Sequence, residues 1–143
     1  MRMSRENVEL MRELWPAELD MVELATNGPP QDMVELLDAG LEVVFKSNLP
    51  GVPPLVYHGS DGLAAGWREW VLPFESYLVQ PREFFDAGND VLVTVAVKAR
   101  THRDGVLMEH APVVVCAVRD RKAVKLTFYL DVDEARAAAG LAG

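Results

Sequence analysis

Proton transfer at neutral pH calls for a histidine, or for a carboxylate held far enough from water that its pKa rises toward neutrality. His110 is the histidine whose setting suits that role. His110 follows Glu109 and shares a two-residue register with Pro112, Val114 and Cys116, so one reading makes it a donor or acid facing an apolar interior. The other makes it a hydrogen-bonded structural histidine, or one exposed at a strand edge. Asp131 ends an apolar run and reads first as the N-cap of the helix predicted over 132–139. His58, within Tyr57-His58-Gly59, reads first as a turn residue, and His102, beside Arg103-Asp104-Gly105, as part of a solvated hairpin tip. Cys116 lies among valines and reads as a small buried apolar residue, with nothing near it to favour a thiolate.

These residues offer no paired metal-ligand spacing, since the three histidines are scattered and the cysteine is single. No metal and no other cofactor is expected. The chain of 143 residues carries 14 Lys+Arg against 22 Asp+Glu, a formal charge of −8 that repels phosphate backbones and anionic lipid. With no Lys/Arg run to offset it, neither nucleic acid nor a membrane surface is an expected partner. The apolar run Ala111–Val118 is far shorter than the roughly 18 residues a membrane crossing needs, and no signal peptide opens the chain, so the expectation is a soluble, cytoplasmic protein. Hydrophobic content of 50% suits one sizeable core, and residues 1–143 read as one folding unit without repeats or linkers.

The elements that must position these side chains follow from periodicity. After Ser4, a candidate cap, Val8, Met11, Trp15, Leu19 and Val22 recur every three or four residues, predicting a helix that Pro16 kinks or breaks. Asn27-Gly28-Pro29-Pro30 ends that segment, and Asp32 opens a short helix with Met33, Leu36 and Leu37 buried and Gly40 at its end. A strand is predicted over 41–46, a loop over 48–54, and a helix from Ser60 or Asp61 that aligns Leu63, Trp67, Trp70, Val71, Phe74 and Leu78 despite Pro73. From Gln80 the period becomes two. Strands over 80–86, 91–103, 106–119 and 123–131, joined by short turns, predict an antiparallel meander with a bulge or bend at Pro112.

Helices first and a bent meander last is an α+β order in which helices cover one face of a curved sheet. The residues carry a family likeness as well: MSRENVEL from Met3 to Leu10, Glu35-Leu36-Leu37-Asp38, Tyr57-His58-Gly59, Asp86-Ala87-Gly88, Val118-Arg119-Asp120 and Tyr129-Leu130-Asp131. In this order the chain resembles the SnoaL-like branch of the nuclear transport factor 2-like superfamily over nearly its whole length. The resemblance implies a cone-shaped fold with an apolar pocket between helices and concave sheet, and a homodimer formed through the sheet. It does not imply one chemistry, because the scaffold hosts isomerases, polyketide cyclases, epoxide hydrolases, dehydratases and members without known catalysis.

Aligned on a ketosteroid-isomerase-like member, Val43 falls at the general base, Val114 at the oxyanion acid and Trp15 near the helix-one tyrosine. Valine can do neither job, and an indole donates one hydrogen bond but is no acid. Asp131, nine residues after Lys122, reproduces the spacing between turn lysine and catalytic aspartate of SnoaL-type cyclases. Two functions are therefore expected. The first is binding of a small apolar molecule by Trp15, Val43, Tyr57, Trp67, Trp70, Phe74, Val114 and Tyr129, although parity leaves open whether Tyr129 faces the concave side. The alternative is a cofactor-independent cyclase, isomerase or epoxide hydrolase in which Asp131 and His110 exchange protons.

Overall fold

Trp15 closes the first helical stripe: α1 (Arg2–Leu14) buries Met11 and Leu14, and Trp15 follows them into the core. The computed structural model describes residues 2–15, 18–46, 51, 53–88, 90–130 and 132–138. Beyond Trp15 the expected continuation of the helix is replaced by a two-residue strand, β1 (Leu19–Asp20), and a new helix, α2 (Met21–Asn27). Asp20 starts that helix, its Oδ1 accepting the amides of Val22 and Glu23 at 3.1 Å each.

The second predicted helix is shorter than its pattern. Only Gln31–Val34 is helical (α3), and Leu37 already belongs to β2 (Leu37–Phe45), because the Leu36 carbonyl accepts from Ala123 at 2.8 Å and Leu37 registers with Ala123. A strand missing from the sequence reading, β3 (Leu55–His58), pairs antiparallel with β2. Helix α4 (Gly59–Trp70) stops where Pro73 approaches, and Phe74 and Leu78, expected on its stripe, lie instead in β4 (Phe74–Ala87). Proline lacks an amide hydrogen and pushes the residue before it out of helical conformation, which ends the helix rather than bending it.

The meander is as expected. β4, β5 (Asp90–Thr101), β7 (Val113–Arg119) and β8 (Lys122–Tyr129) pair antiparallel in succession. The long predicted strand over 106–119 is divided at Ala111 and Pro112 into β6 (Leu107–His110) and β7, both on β5. β8 runs parallel to β2, so the sheet order is β1-β4-β5-β7-β8-β2-β3. The sheet is strongly curled, and α1, α2 and α4 fill its concave side. The last helix, α5 (Val132–Ala138), lies against the opposite, convex face, where Ala135 packs with Leu92, Val113, Val115 and Tyr129.

A break in register decides which side chains of β4 face inward. Between Pro81 and Glu83 a bulge flips β4, so that Tyr77 and Val79 face the core before it, and Phe84 packs inward and Phe85 outward after it. Thr94 Oγ1 takes up the Glu83 amide there, at 3.1 Å.

Candidate functional site

An aromatic stack occupies the concave side. Phe45, on β2, lies flat against Phe128 of β8 (centroids 4.9 Å apart) and against Trp70 of α4 (5.6 Å), and meets Trp67 (5.6 Å) and Tyr57 (5.9 Å) edge to face. Trp67 in turn stands edge-on to Phe128 (5.3 Å) and Tyr77 (5.7 Å). These arrangements follow the quadrupole preference of aromatic pairs. They also leave little empty space inside the cone.

Two apolar spaces flank the stack. One is a small cavity of about 10 Å³ between α1, α2, α4 and the sheet, walled by Leu, Met and the rings of Trp15 and Trp67, with room for about one water molecule. The other is an open groove of about 400 Å³, lined by Trp70, Phe74, Tyr77, Met108, Ala111, Pro112 and Leu130. The groove has the size and lining of a small-molecule site. It opens where Pro112 breaks the pairing partner of β5 into β6 and β7, so the proline that cannot donate to a ladder makes its wall.

Hydrogen bonding differs among the three indoles. Trp70 Nε1 donates to the Tyr77 hydroxyl at 3.0 Å. Burial pushes the Tyr77 phenol up to about 12, and the bond from Trp70 opposes that shift. Trp67 Nε1, by contrast, is buried with no hydrogen-bond partner among the described residues, and Trp15 Nε1 has beside it the Cys116 thiol, a weak acceptor. A buried donor left unmet costs about 1–3 kcal/mol. Burial also raises the Cys116 thiol to about 12; the indole of Trp15 opposes this and the charge of Asp90 adds to it.

The expected binding residues are thereby separated. Trp15 and Trp67 border the small cavity, and Trp70 and Phe74 the groove. Tyr57 is on the concave side, but its hydroxyl is engaged with Glu69 Oε2 at 2.8 Å, and that bond, with burial and the carboxylate's charge, raises its pKa. Val43 and Val114 are 0% and 2% exposed in the core and line neither space. Tyr129 faces the convex side: Phe128 enters the stack, so alternation turns Tyr129 outward beneath α5, where burial and the charges of Glu134 and Asp90 raise its phenol. His58 precedes α4 without capping it, and His102 is exposed in a turn. Asp131 and the His110 side chain lie outside the described residues, although their chain neighbours Leu130 and Ala111 line the groove.

Tyr77, Met108, Pro112 and Leu130 complete the groove without having been singled out as site residues. The period-two pairing of Tyr77 with Val79 was the available signal, and the helical reading of Phe74 and Leu78 concealed it. Among the described residues no three His, Cys, Asp or Glu side chains are placed to hold a metal ion, and no helix is long and apolar enough to cross a membrane.

No protein-family model and no curated protein matches the sequence. Solved structures do match in shape. TerC, co-crystallised with polyporic acid, superposes with a TM-score of 0.66 at 16% identity, covering 94% of this chain and 98% of that one. A SnoaL-like polyketide cyclase from Jannaschia sp. gives 0.65 at 16% identity over 97% and 94% of the two chains. A nuclear transport factor 2-like protein from Burkholderia thailandensis gives 0.66 at 15% identity over 94% and 95%. The chain has the nuclear transport factor 2-like fold. This chain and these structures match over nearly their whole lengths. The nuclear transport factor 2-like fold supplies the site's geometry; its chemistry depends on the side chains just described.

Proposed function

We propose that the protein binds a small, neutral, mainly apolar molecule on the concave side of its sheet, through the groove of Trp70, Phe74, Tyr77, Met108, Pro112 and Leu130. The observation that carries this reading is the groove itself, about 400 Å³ of space walled by apolar and aromatic side chains at an opening in the sheet. Among the described lining residues the polar side-chain group is the Tyr77 hydroxyl, which already receives the Trp70 indole. An anion entering such a site would lose its hydration without gaining a charged partner among the described lining residues. Neutral aromatic or terpenoid compounds should therefore raise the melting temperature, while small carboxylates and phosphates should leave it unchanged. Met108 is 43% exposed, so Met108→Glu places a carboxylate on the groove wall with little effect on folding; it should weaken a hit at least about tenfold. Hits confined to anions, or indifference to Met108→Glu, would reject the groove.

A second reading, acid–base catalysis by Asp131 and His110, is favoured by one observation. Leu130 and Ala111, their immediate neighbours in the chain, line the same groove. If Asp131 moves a proton, Asp131→Asn abolishes turnover of a bound carbonyl compound or epoxide and leaves its binding nearly intact. If Asp131 caps α5, asparagine serves almost equally well and nothing changes.

A further inference from the structure

β5 carries two strands along one side, and they differ in what lies beyond them. β7 pairs with both β5 and β8, whereas β6 pairs with β5 alone. The difference arises because β8 stops at Tyr129, opposite Val113 at the start of β7, and α5 then lies against the convex face.

Hydrogen bonds at both ends of β6 fix which of its backbone groups are left open. Thr101 N–H donates to the Val106 carbonyl at 3.1 Å and Val95 N–H to the Pro112 carbonyl at 3.3 Å, both in the register that pairs Ala99 with Met108. Bonded pairs alternate along an antiparallel ladder, so Met108 turns its N–H and C=O toward β5, and Leu107 and Glu109 turn theirs away from it. Donors and acceptors thus stand on the outer edge at a two-residue spacing. Natural sheets guard such an edge with lysine, proline, a bulge or a covering element. Among the described residues β6 has none of these: its register with β5 is unbroken, and Val106, Leu107 and Met108 are 52%, 56% and 43% exposed. Met108 lies with Ala99 on the concave side and walls the groove, and Leu107 lies with Arg100 on the other face. Leu72, another exposed apolar side chain, is next to the same hairpin, since the Pro73 carbonyl accepts from His102 N–H at 3.1 Å.

We propose that the outer edge of β6 docks an extended segment of a partner protein, which adds as a strand antiparallel to β6 and in line with β8. An extended backbone is the ligand that presents donors and acceptors at the spacing of Leu107 and Glu109. Alternate side chains of the added strand lie beside Met108 at the mouth of the groove, which calls for apolar residues there. Charge selects the partner further. The −8 of this chain attracts a segment with basic flanks and repels a second copy, whose own β6 would otherwise fit the same edge. The site is made by the backbone of β6 and stands whatever the groove holds.

The probe is the peptide acetyl-KKVTVTVTK-amide, apolar at alternate positions and basic at its ends. Fluorescence anisotropy of a labelled copy should show saturable binding to the intact chain. Glu109→Pro removes an outward N–H and puts a ring where the added strand must lie, yet keeps the bonds to β5, because an edge strand tolerates proline where its N–H faces solvent. It should weaken binding at least about tenfold with the melting temperature nearly unchanged. Should that variant fail to fold, amide hydrogen exchange in the unmodified protein gives the answer. The Leu107 and Glu109 amides should exchange freely in the chain alone and slow at least about tenfold with the peptide, whereas the Met108 amide, bonded to β5, is protected in both. Absence of binding, binding that leaves the two outward amides unprotected, or equal binding by folded Glu109→Pro would overturn the proposal. So would protection of both amides in the chain alone together with a doubled mass, which would give the edge to a second copy.

Discussion

Gly66 lies within α4, where alanine would ordinarily be the better helix former by about 1 kcal/mol. Here a methyl group would come within 2.5 Å of Phe45 Cε2 and 3.0 Å of Tyr57 Cδ2. Phe45 cannot yield, being stacked between Phe128 and Trp70 with Trp67 on its edge. Gly66→Ala should therefore destabilise the protein by about 1–3 kcal/mol in urea unfolding, against the helix propensity, because overpacking outweighs it. Cys116 and Tyr77 provide a second residue-scale test. Their thiol and phenol rise from 9.0 and 10.0 to about 12 on folding, mainly through burial. Below about pH 8 both groups are essentially neutral in folded and unfolded chains and add no pH dependence. Between about pH 9 and 12 the unfolded chain releases these protons while the folded chain keeps them, so stability falls with rising pH, by about 1.4 kcal/mol per pH unit for each group in its window. Cys116→Ala should flatten the decline from about pH 9 to 10 and leave the tyrosine's part above it. A urea midpoint that falls equally in both proteins over that first interval would contradict the thiol's share.

Elements were legible where local chemistry and the sheet agreed. Turn residues at Asp86–Asp90, Asp104-Gly105 and Asp120–Lys122 delimit the meander, and Pro112 breaks the strand expected to bend there. β3 escaped notice because four residues, Leu55–His58, are too few to show alternation. The helical stripe through Phe74 and Leu78 misled because Trp67, Trp70 and Phe74 share a spacing whose last member is set by a strand. Which face of β8 is concave was unreadable from parity alone; it depends on Phe128 meeting Phe45 across the parallel pairing with β2. The hairpin between β7 and β8 carries an element-scale prediction. Asp120 and Arg121 hold φ of 51° and 63°, left-handed values that a two-residue turn of the primed type demands and that glycine meets without a Cβ clash. Arg121→Gly should stabilise the chain by about 0.5–1 kcal/mol, less whatever the loss of an exposed charge beside Glu6, Glu9 and Glu13 removes. Repeating the denaturation in high salt suppresses that charge effect, and a destabilised variant there would argue against strain at this turn.

At the scale of the whole molecule, the two faces of the sheet are treated differently. The alternation of apolar residues along β7 predicts that both faces need cover, and a homodimer through the sheet is the expected cover for the outer one. Within one chain, however, Leu92, Val113, Val115 and Tyr129 are already buried beneath Ala135 of α5 and beside Phe85. Lys46 reinforces this closure, pairing with Glu134 at 3.6 Å and lying 5.9 Å from the centre of the Tyr129 ring. Pairing of two copies, which remains a proposal, must then use the part of the convex face that α5 leaves open. Ala96 on β5 is half-buried there, between the inward-facing Val95 and Val97. A dimer through that surface would show twice the 15.8 kDa chain mass in light scattering at micromolar concentration. Ala96→Arg, which puts a bulky cation on both sides of a two-fold contact, should return the mass to one chain with little loss of melting temperature, since the side chain can reach water in a monomer. A single-chain mass for the unmodified protein would mean that α5 and Phe85 suffice to cover the face, and that the second copy is not needed.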